Sequence, residues 1–427
     1  MKIGKPKVER GMAMIYDFDK IINRRGTNSI KWDVPETELP MWVADMDFET
    51  APEIREALMK RAQHGIFGYA GLPKEWYDAY TGWWETRHHF KMEKEWLMFT
   101  TGVVAGISCA VRKLTDVGDN VLIQTPVYNT FFYSIANNGR NIAKSPLIYD
   151  GEQYRMDFDD LEKKLADPQT TMMILCNPHN PVGKIWDRET LAKVGELCKK
   201  HHVIVLSDEI HCDLTAPGQE YIPFASVSDV CRQISITCIA PTKTFNLAGI
   251  QTAAVFAADE ELRHKMWWAL HVDEVADPNV FAVDAAIAAF TKGGPWLDAL
   301  REYIEGNKNY VFAFLTENLP DIKPITADAT YLMWLDCRGL KKSGSHAAHD
   351  CGEQENGQGK PCGHSTEKPE FCRFLREKTG LFLNDGSQYG TDGEGFLRMN
   401  LACPRSLVED GLKRLLEGAG AYLKMLS

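Results

Sequence analysis

Lys243 lies just after a short apolar run, residues 234–239 (ISITCI), that is typical of a buried strand. A lysine in this position is either a solvated surface residue that closes the strand or an amine held for chemistry. Burial shifts lysine toward its neutral, nucleophilic form, which suits it to forming a Schiff base with a carbonyl compound. This stretch alone favours the surface lysine, and the remaining residues decide between the two interpretations.

Side chains with complementary chemistry also follow other predicted strands. They are an aromatic ring, an amide, a carboxylate and an imidazole at Tyr128, Asn180, Asp208 and His211, and a helix start at Gly102, Val103 and Val104. Because ligands of open α/β sheets lie beyond the carboxyl ends of the strands, we expect these groups to converge at one edge. Each has an ordinary structural interpretation when taken alone, as a core ring, a turn amide or a helix cap. The combination in this order is more specific.

This set of groups is the one that pyridoxal phosphate requires. The cofactor needs an amine, a carboxylate on its ring nitrogen, a donor to its phenolic oxygen, a stacking ring and a helix start for its phosphate. Opposite charges ~4 Å apart attract by about 4 kcal/mol at an effective dielectric of 20. That energy corresponds to roughly three pKa units in favour of a protonated ring nitrogen. A protonated ring can accept the electrons released when a substrate loses its Cα proton, and the lysine can be the base that removes it.

The elements that would position these groups alternate between strand-like and helix-like patterns over residues 98–257, which is typical of βαβ units on a parallel sheet. We therefore predict an α/β fold in which a large domain with a mostly parallel central sheet, residues 52–295, binds the cofactor. Residues 296–427 are predicted to form a smaller α+β domain, to which the N-terminal arm, residues 1–51, contributes. The Gly293-Gly294-Pro295 sequence marks the predicted passage between the two domains.

Composition restricts the class of protein. The chain has 427 residues, 44% of them hydrophobic, and a formal net charge of −11, so neither nucleic acid nor an anionic membrane is a predicted partner. Its first residues lack the apolar core of a signal peptide, and no apolar run approaches the ~20 residues of a membrane span. Eleven scattered cysteines are typical of reduced thiols. We therefore predict a cytoplasmic enzyme or binding protein.

Residues 341–368 differ from the rest of the chain, because they are rich in Gly, Ser, Gln, Glu and Lys and contain almost no apolar residue. This composition predicts a flexible insertion. The segment carries five residues of the types that bind zinc, namely His346, His349, Cys351, Cys362 and His364. Their spacing matches no standard zinc finger, so the sequence predicts no metal site.

The motif order N-P-x-N-P-x-G, S-D-E-I-H and T-K-T-F-N-x-A-G resembles the fold-type I pyridoxal-phosphate enzymes, the aspartate aminotransferase superfamily. Four further motifs are more similar to the MalY/PatB group of cystathionine β-lyases. They are residues 41–48 (MWVADMDF), 67–69 (FGY), 383–387 (LNDGS) and 398–405 (RMNLACPR). His211 stands where aspartate aminotransferases have a tyrosine, and Gln251 where they have an arginine. The lyase group shares both changes.

The resemblance implies a role for each matching residue. Lys243 corresponds to the Schiff-base lysine, Asp208 to the partner of the pyridine nitrogen, Asn180 to the donor to the phenolic oxygen and Tyr128 to the stacking ring. His211 is implied to lie beside the cofactor. The implied phosphate site consists of Gly102, Val103, Val104 and Thr242. Tyr69 corresponds to a tyrosine that reaches the phosphate of the neighbouring subunit, which implies a homodimer with shared active sites.

The substrate is implied to be an amino acid, because Arg398 corresponds to an arginine that pairs with the substrate carboxylate, with Tyr69, Asp45 and Met46 nearby. The leading hypothesis is β-elimination from cystathionine or another S-substituted cysteine, giving pyruvate, ammonia and a thiol. Residues 41–48 and His211 favour it over the alternative, a class I/II aminotransferase with the same core residues. A second alternative is a lyase-fold protein that also regulates through protein contacts, although the sequence has no feature that predicts such a surface.

Overall fold

The computed structural model describes residues 16–340 and 370–427. The predicted insertion at residues 341–368, with its five cysteine and histidine residues, lies outside the described residues. None of the described helices is both long and apolar enough to span a bilayer.

The helices of the described residues, numbered α1 to α13 along the chain, are Pro52–His64, Lys74–Arg87, Val103–Leu114, Thr130–Ala136, Phe158–Leu165, Arg188–Lys200, Asp229–Gln233, Pro241–Thr244, Glu260–Val272, Val280–Lys292, Gly294–Asn318, Phe371–Thr379 and Arg405–Leu426. The strands, numbered β1 to β15, are Leu39–Pro40, Leu97–Thr100, Asn120–Ile123, Asn141–Lys144, Ile148–Tyr149, Tyr154–Arg155, Thr170–Cys176, Ile204–Asp208, Ser235–Ile239, Ala253–Phe256, Lys323–Pro324, Leu332–Asp336, Leu381–Phe382, Asn384–Asp385 and Phe396–Asn400.

A seven-stranded sheet forms the centre of the fold, in the order β2-β10-β9-β8-β7-β3-β4. Only β10 runs antiparallel to its neighbours, so the carboxyl ends of β2, β3, β7, β8 and β9 meet at one edge. Successive residues of β9 alternate between two cores: Ile239 packs into one apolar cluster and Cys238 into the other. A strand covered on both faces must be apolar throughout, which explains the continuous hydrophobic run before Lys243. The predicted mostly parallel α/β fold is confirmed.

A second sheet, in the order β11-β12-β15-β14, is antiparallel throughout. The N-terminal arm joins this part of the chain, because β1 pairs in parallel with β13. The position of the domain boundaries, at residues 51/52 and 295/296, stays a prediction. Gly293 and Pro295 stand where α10 ends and α11 begins, a junction where two helices follow each other directly.

Residues 42–48, which we call the strap, pass between the two sheets. Asn246, on the loop after α8, donates from Nδ2 to two strap carbonyls, each at 3.0 Å. Asn400, at the end of β15, donates from Nδ2 to two other strap carbonyls, each at 2.6 Å. The strap is thereby bonded to the lysine loop on one side and to the second sheet on the other, and its backbone forms one wall of the pocket described next.

Candidate active site

Lys243 lies in α8, the short helix that follows β9, at the carboxyl edge of the central sheet. Its side chain is partly exposed, and Nζ donates to the carbonyl oxygen of Ala44 in the strap at 2.6 Å. Desolvation, reinforced by the positive charge of Arg398, lowers the pKa of the Lys243 amine to about 8, against the opposing effects of Asp45 and Asp208. A substantial share of this amine is therefore neutral near physiological pH, as a nucleophile or base requires.

Asp208 is the last residue of β8, and its side chain is 4% exposed. The backbone amide of Ile210 donates to Oδ1 at 3.1 Å. Burial nevertheless raises the pKa of this carboxyl to about 7, against the opposing effects of the Ile210 amide and the Lys243 charge. A buried carboxylate with so little compensation gains stability from any cation placed beside it. The protonated ring nitrogen of pyridoxal phosphate is such a cation.

Arg398, on β15, brings the second sheet to this pocket and is 4% exposed. One terminal nitrogen donates to Asn180 Oδ1 at 3.2 Å, and the other donates to Asn384 Oδ1 and to the carbonyl of Trp42, both at 2.9 Å. Its Nε atom is buried and has no partner among the described residues. The guanidinium is thus fixed in direction by three neutral acceptors and still carries an unpaired positive charge, which suits it to a ligand carboxylate.

The turn that carries Asn180 depends on Gly183. Gly183 has φ +72°, and a Cβ there would lie 2.5 Å from the Cβ of Ala327, so both the backbone conformation and the space require glycine. Because Asn180 accepts from Arg398 through Oδ1, its amide nitrogen remains available as a donor to a bound ring oxygen.

The predicted phosphate site lies at the start of α3. Gly102 caps this helix with extended backbone, and Val103 and Val104 are its first residues. Amides of a first helical turn have no partner within the helix, and the space beside Gly102 is open, since a Cβ there would meet no atom within 4 Å. Thr242, in α8, immediately precedes Lys243 in the sequence. It is buried and carries a hydroxyl group. These groups fit a phosphate.

His211 and Tyr128 complete the predicted cofactor set. Burial, with the nearby positive charges of Lys243 and Arg398, lowers the pKa of His211 to about 3, so the imidazole is neutral; its Nδ1 atom is buried without a partner among the described residues. Tyr128 is half-buried beyond β3 and packs edge-to-face on Phe131, with ring centroids 5.8 Å apart. The unpaired Nδ1 atom, the Arg398 Nε atom and the Asp208 carboxylate are the features that a bound cofactor and substrate would satisfy.

Three predicted residues lie differently from the rest. Tyr69 is 109% exposed, so it contacts nothing in the pocket of its own chain. Asp45 forms an ion pair with Arg24, between Oδ2 and a terminal guanidinium nitrogen 2.6 Å away. Met46 is 1% exposed and belongs to the apolar core, so a substrate contact by its side chain stays a prediction.

Sequence reasoning did not single out the residues that fix the strap. Tyr331 donates from Oη to the carbonyl of Ala44 at 2.9 Å, the same oxygen that accepts from Lys243. Asn246 and Asn400 donate hydrogen bonds to strap carbonyls, and Asn384 accepts one from Arg398. Each of these asparagines lies inside a motif quoted above for its resemblance to the family. Membership in those motifs was the signal in the sequence that could have identified these three residues. Asn246 and Asn400 each lie more than 100 residues from the strap carbonyls that they bond. The local sequence pattern therefore could not identify these partners.

Comparison with known proteins gives concordant results. The family model described as aminotransferase class I and II matches residues 39–415. The chain is 44% identical over 405 residues to the cystathionine beta-lyase PatB of Bacillus subtilis, covering 93% of this chain and 98% of that protein. It is 32% identical to Protein MalY of Escherichia coli, covering 95% and 100%. Among solved structures, cystalysin from Treponema denticola, which contains pyridoxal 5'-phosphate, matches with a TM-score of 0.86 and 32% identity, over 97% of this chain and 100% of that chain.

A second similar solved structure is also that of an enzyme with bound pyridoxal phosphate. The pyridoxal-phosphate-bound C-S lyase from Staphylococcus hominis matches with a TM-score of 0.84 and 32% identity, over 95% of this chain and 99% of that chain.

Proposed function

The chain belongs to the aminotransferase class I and II family, in the group that includes PatB and MalY, and we propose that it is a pyridoxal-phosphate-dependent C-S β-lyase. It converts cystathionine or another S-substituted cysteine into pyruvate, ammonia and a thiol. The observation that carries this proposal is that Lys243 and Arg398, from different parts of the fold, both donate to carbonyls of the strap, to Ala44 at 2.6 Å and to Trp42 at 2.9 Å. Burial, with the nearby charges, lowers the pKa of that amine to about 8. The family predicted from the motifs is confirmed.

Each residue of the pocket has a place in holding the cofactor. Lys243 would hold it covalently, Asp208 would pair with its ring nitrogen, and Asn180 would donate to its phenolic oxygen. The first-turn amides of α3, together with Thr242, would bind its phosphate, and Tyr128 would lie against its ring. His211, which is neutral, adds no charge to compete with Asp208 for the ring nitrogen.

Bound pyridoxal phosphate supplies an electron sink for the pair released when the substrate loses its Cα proton. Lys243 Nζ would take that proton, because its lowered pKa leaves a substantial share of the free amine neutral and able to act as a base. Arg398 holds the substrate carboxylate, which fixes the direction of the Cα–H bond toward the amine. As the Cα electron pair forms a Cα=Cβ double bond, the Cβ–S bond would break with its electron pair leaving on sulfur, and Lys243 could return the proton to the thiolate. Water then hydrolyses the released aminoacrylate to pyruvate and ammonia.

Elimination and transamination share the step of Cα deprotonation, so their products must separate them. We expect purified holoenzyme to release pyruvate from cystathionine without any added 2-oxo acid. A panel of cysteine, cystine and other thioethers, scored by pyruvate release, would rank the substrates. An enzyme that released no pyruvate, and consumed amino acids only when a 2-oxo acid was present, would be an aminotransferase and the proposal would be wrong.

Replacement of Arg398 by Lys should mainly weaken substrate binding. Lysine keeps the charge but loses the planar fork that holds three acceptors, and breaking a buried charged pair costs about 2–5 kcal/mol. We expect kcat/KM for cystathionine to fall by roughly 30-fold or more, while the visible absorbance of the bound cofactor remains. Steady-state kinetics and absorbance spectra measure the two effects. Replacement of Arg373, which is exposed and forms an ion pair with Glu377, by Lys is the matched control and should change neither.

Cofactor uptake by the apoenzyme should depend on pH through Lys243. Its pKa is lowered, so the amine is mostly protonated and unreactive below about 8 and mostly neutral above it. We expect the rate of pyridoxal phosphate incorporation, followed by visible absorbance after rapid mixing, to rise with pH and level off above about 8. A rate that kept rising up to the pKa of an ordinary lysine would contradict the environment described for this amine.

We also propose a homodimer with shared active sites. Residues 66–69 (IFGY) expose three large apolar side chains, at 67%, 58% and 109% for Ile66, Phe67 and Tyr69. Exposed apolar side chains grouped in this way favour a protein partner, and a second copy of the chain would bring Tyr69 to the phosphate end of its pocket. The proposed location is the cytoplasm, in keeping with the reduced thiols expected of the scattered cysteines.

Mixing two inactive variants tests this dimer. We expect Lys243→Ala and Tyr69→Ala each to lose activity, and a mixture that has exchanged subunits to regain part of it. The mixed dimer contains one pocket with both native residues, whereas neither parent contains any. A mixture no more active than its parents, although mixed dimers have formed by mass spectrometry, would show that Tyr69 acts within its own chain or not at all.

A further inference from the structure

A hydrogen-bonded cluster includes Thr244, the residue that follows Lys243 in the chain. Asp213 accepts at Oδ1 from Trp83 Nε1 at 2.8 Å, and the same oxygen lies 2.9 Å from His88 Nε2. Its other oxygen, Oδ2, accepts from Thr244 Oγ1 at 2.9 Å. We call these four residues the Asp213 cluster. None of them has a part in the cofactor or substrate contacts described above.

The Asp213 cluster joins three segments that carry or support the pocket. Trp83 belongs to α2 and His88 follows that helix, Asp213 lies five positions after Asp208, and Thr244 is the residue next to Lys243. Both Asp213 and Thr244 are buried. The cluster therefore connects the segment that follows Asp208 to the helix of the active amine through side chains alone.

The Asp213 carboxylate is ionised and held in place. Burial by itself raises the pKa of Asp213, but the hydrogen bonds from His88, Trp83 and Thr244 outweigh it and leave the pKa below its ordinary value. A buried carboxylate whose two oxygens are both occupied resists displacement, because losing any donor leaves charge without compensation. This makes Asp213 a rigid anchor for the Thr244 hydroxyl.

The same location has a ligand set that zinc could bind. Ligand atoms of His88, Cys212 and Asp213 lie within 4.8 Å of one another. Both oxygens of Asp213 are, however, already occupied by donors, and His88 uses Nε2 on the carboxylate itself. A metal ion would have to break this arrangement, so the geometry favours a hydrogen-bonded anchor over a metal site.

The short helix α8 needs such an anchor. It has four residues, Pro241–Thr244, and no side-chain cap at its start. Helices this short are not stable by themselves, so tertiary contacts must fix their orientation. Successive residues of a helix project about 100° apart, so fixing the Thr244 side chain on the buried side sets the direction in which Lys243 leaves the backbone.

We propose that Asp213 is a positioning residue that acts through Thr244 Oγ1 to direct the Lys243 amine toward the cofactor and the substrate Cα. This rests on the proposed function of the pocket. A displacement of about 1 Å in a reacting group can cost about 10²-fold in rate. The anchor should therefore affect kcat and the electronic environment of the amine, and leave substrate binding at Arg398 largely unchanged.

Thr244→Val tests this inference, because valine keeps the shape of threonine and removes only the hydroxyl. In holoenzyme, we expect kcat for pyruvate release to fall by about 10²-fold with KM nearly unchanged. We also expect the pH midpoint of the visible absorbance change to shift. Thr244→Ser, which keeps the hydroxyl, should restore both properties. Asp213→Asn, which keeps the shape of the anchor but not its charge, should change both properties in the same direction as Thr244→Val.

Thr115→Val is the matched control, since Thr115 is a buried threonine whose hydroxyl bonds Val111 and Arg140 far from this cluster. It should lower the melting temperature and leave kcat and the absorbance midpoint as in the native enzyme. If Thr244→Val and Asp213→Asn also changed only the melting temperature, the cluster would be structural and the inference wrong. If native holoenzyme released no pyruvate, the proposed function would fail instead, and a shifted absorbance midpoint in Thr244→Val would still support the anchor.

Discussion

Lys243→Ala is expected to abolish pyruvate release from cystathionine, lowering kcat by at least about 10⁴-fold. Two functions are lost together: the amine that would hold the cofactor and the base that would take the Cα proton. The structure supports both, because the amine is partly exposed to the pocket and its pKa is lowered to about 8. The measurements are steady-state pyruvate release and the visible absorbance of protein purified with added pyridoxal phosphate.

Lys308 provides a matched control, because it is a buried lysine whose pKa burial also lowers to about 8. Its Nζ donates to the carbonyl of Ala327 at 3.2 Å, and it has no part in the proposed pocket. Lys308→Met should lower stability and keep the visible absorbance and kcat. If Lys308→Met lost activity and Lys243→Ala kept it, the assignment of the active amine would be wrong.

Asp208→Asn is expected to lower kcat by roughly 10³-fold while leaving the cofactor bound. Asparagine has nearly the same shape but no charge, so the attraction of about 4 kcal/mol that would keep the ring nitrogen protonated is lost. The ring then accepts electrons from the substrate poorly, and Cα deprotonation becomes slow. Exchange of the substrate Cα proton with deuterated solvent, measured by NMR, reports this step directly and separates it from cofactor loss.

Glu209 is the control for Asp208, since it is the next residue and equally buried. Burial raises the pKa of Glu209 to about 8, so it is mostly uncharged at neutral pH, and it bonds Ser207, Tyr221 and the amide of Phe224. Glu209→Gln removes little charge at neutral pH and should keep the exchange rate near that of the native enzyme. Equal losses in Glu209→Gln and Asp208→Asn would indicate that packing, and not the Asp208 charge, is what matters at this strand end.

The sequence predicted the carboxyl edge of the sheet well, for a physical reason. Parallel strands buried on both faces must be apolar, so the polar residue that ends each run stands out and marks its strand end. The strand predicted at residues 234–239 differs from β9 by one residue, at its start. Asp208 is the last residue of β8, so this carboxylate is fixed by the sheet itself and not by the loop that follows.

The contacts that complete the pocket could not be predicted in the same way. The strap contacts Lys243, Tyr331 and Arg398 through backbone carbonyls, and a carbonyl leaves no mark in the sequence because every residue has one. Asp213 presents the same difficulty, since a carboxylate two positions beyond the S-D-E-I-H motif gives no sign that its partner is a threonine 31 positions away. The place of Tyr69 depends on a second chain, which no pattern within one chain defines.

The central claim is that Lys243 is the amine that holds the cofactor. Borohydride reduction of the native holoenzyme, followed by proteolysis and mass spectrometry, locates the cofactor because reduction makes its attachment permanent. We predict one modified site, on the peptide that contains Lys243, and no modification at Lys308. A label on Lys308 or any other lysine, or protein that gains visible absorbance with Lys243 unmodified, would contradict the account.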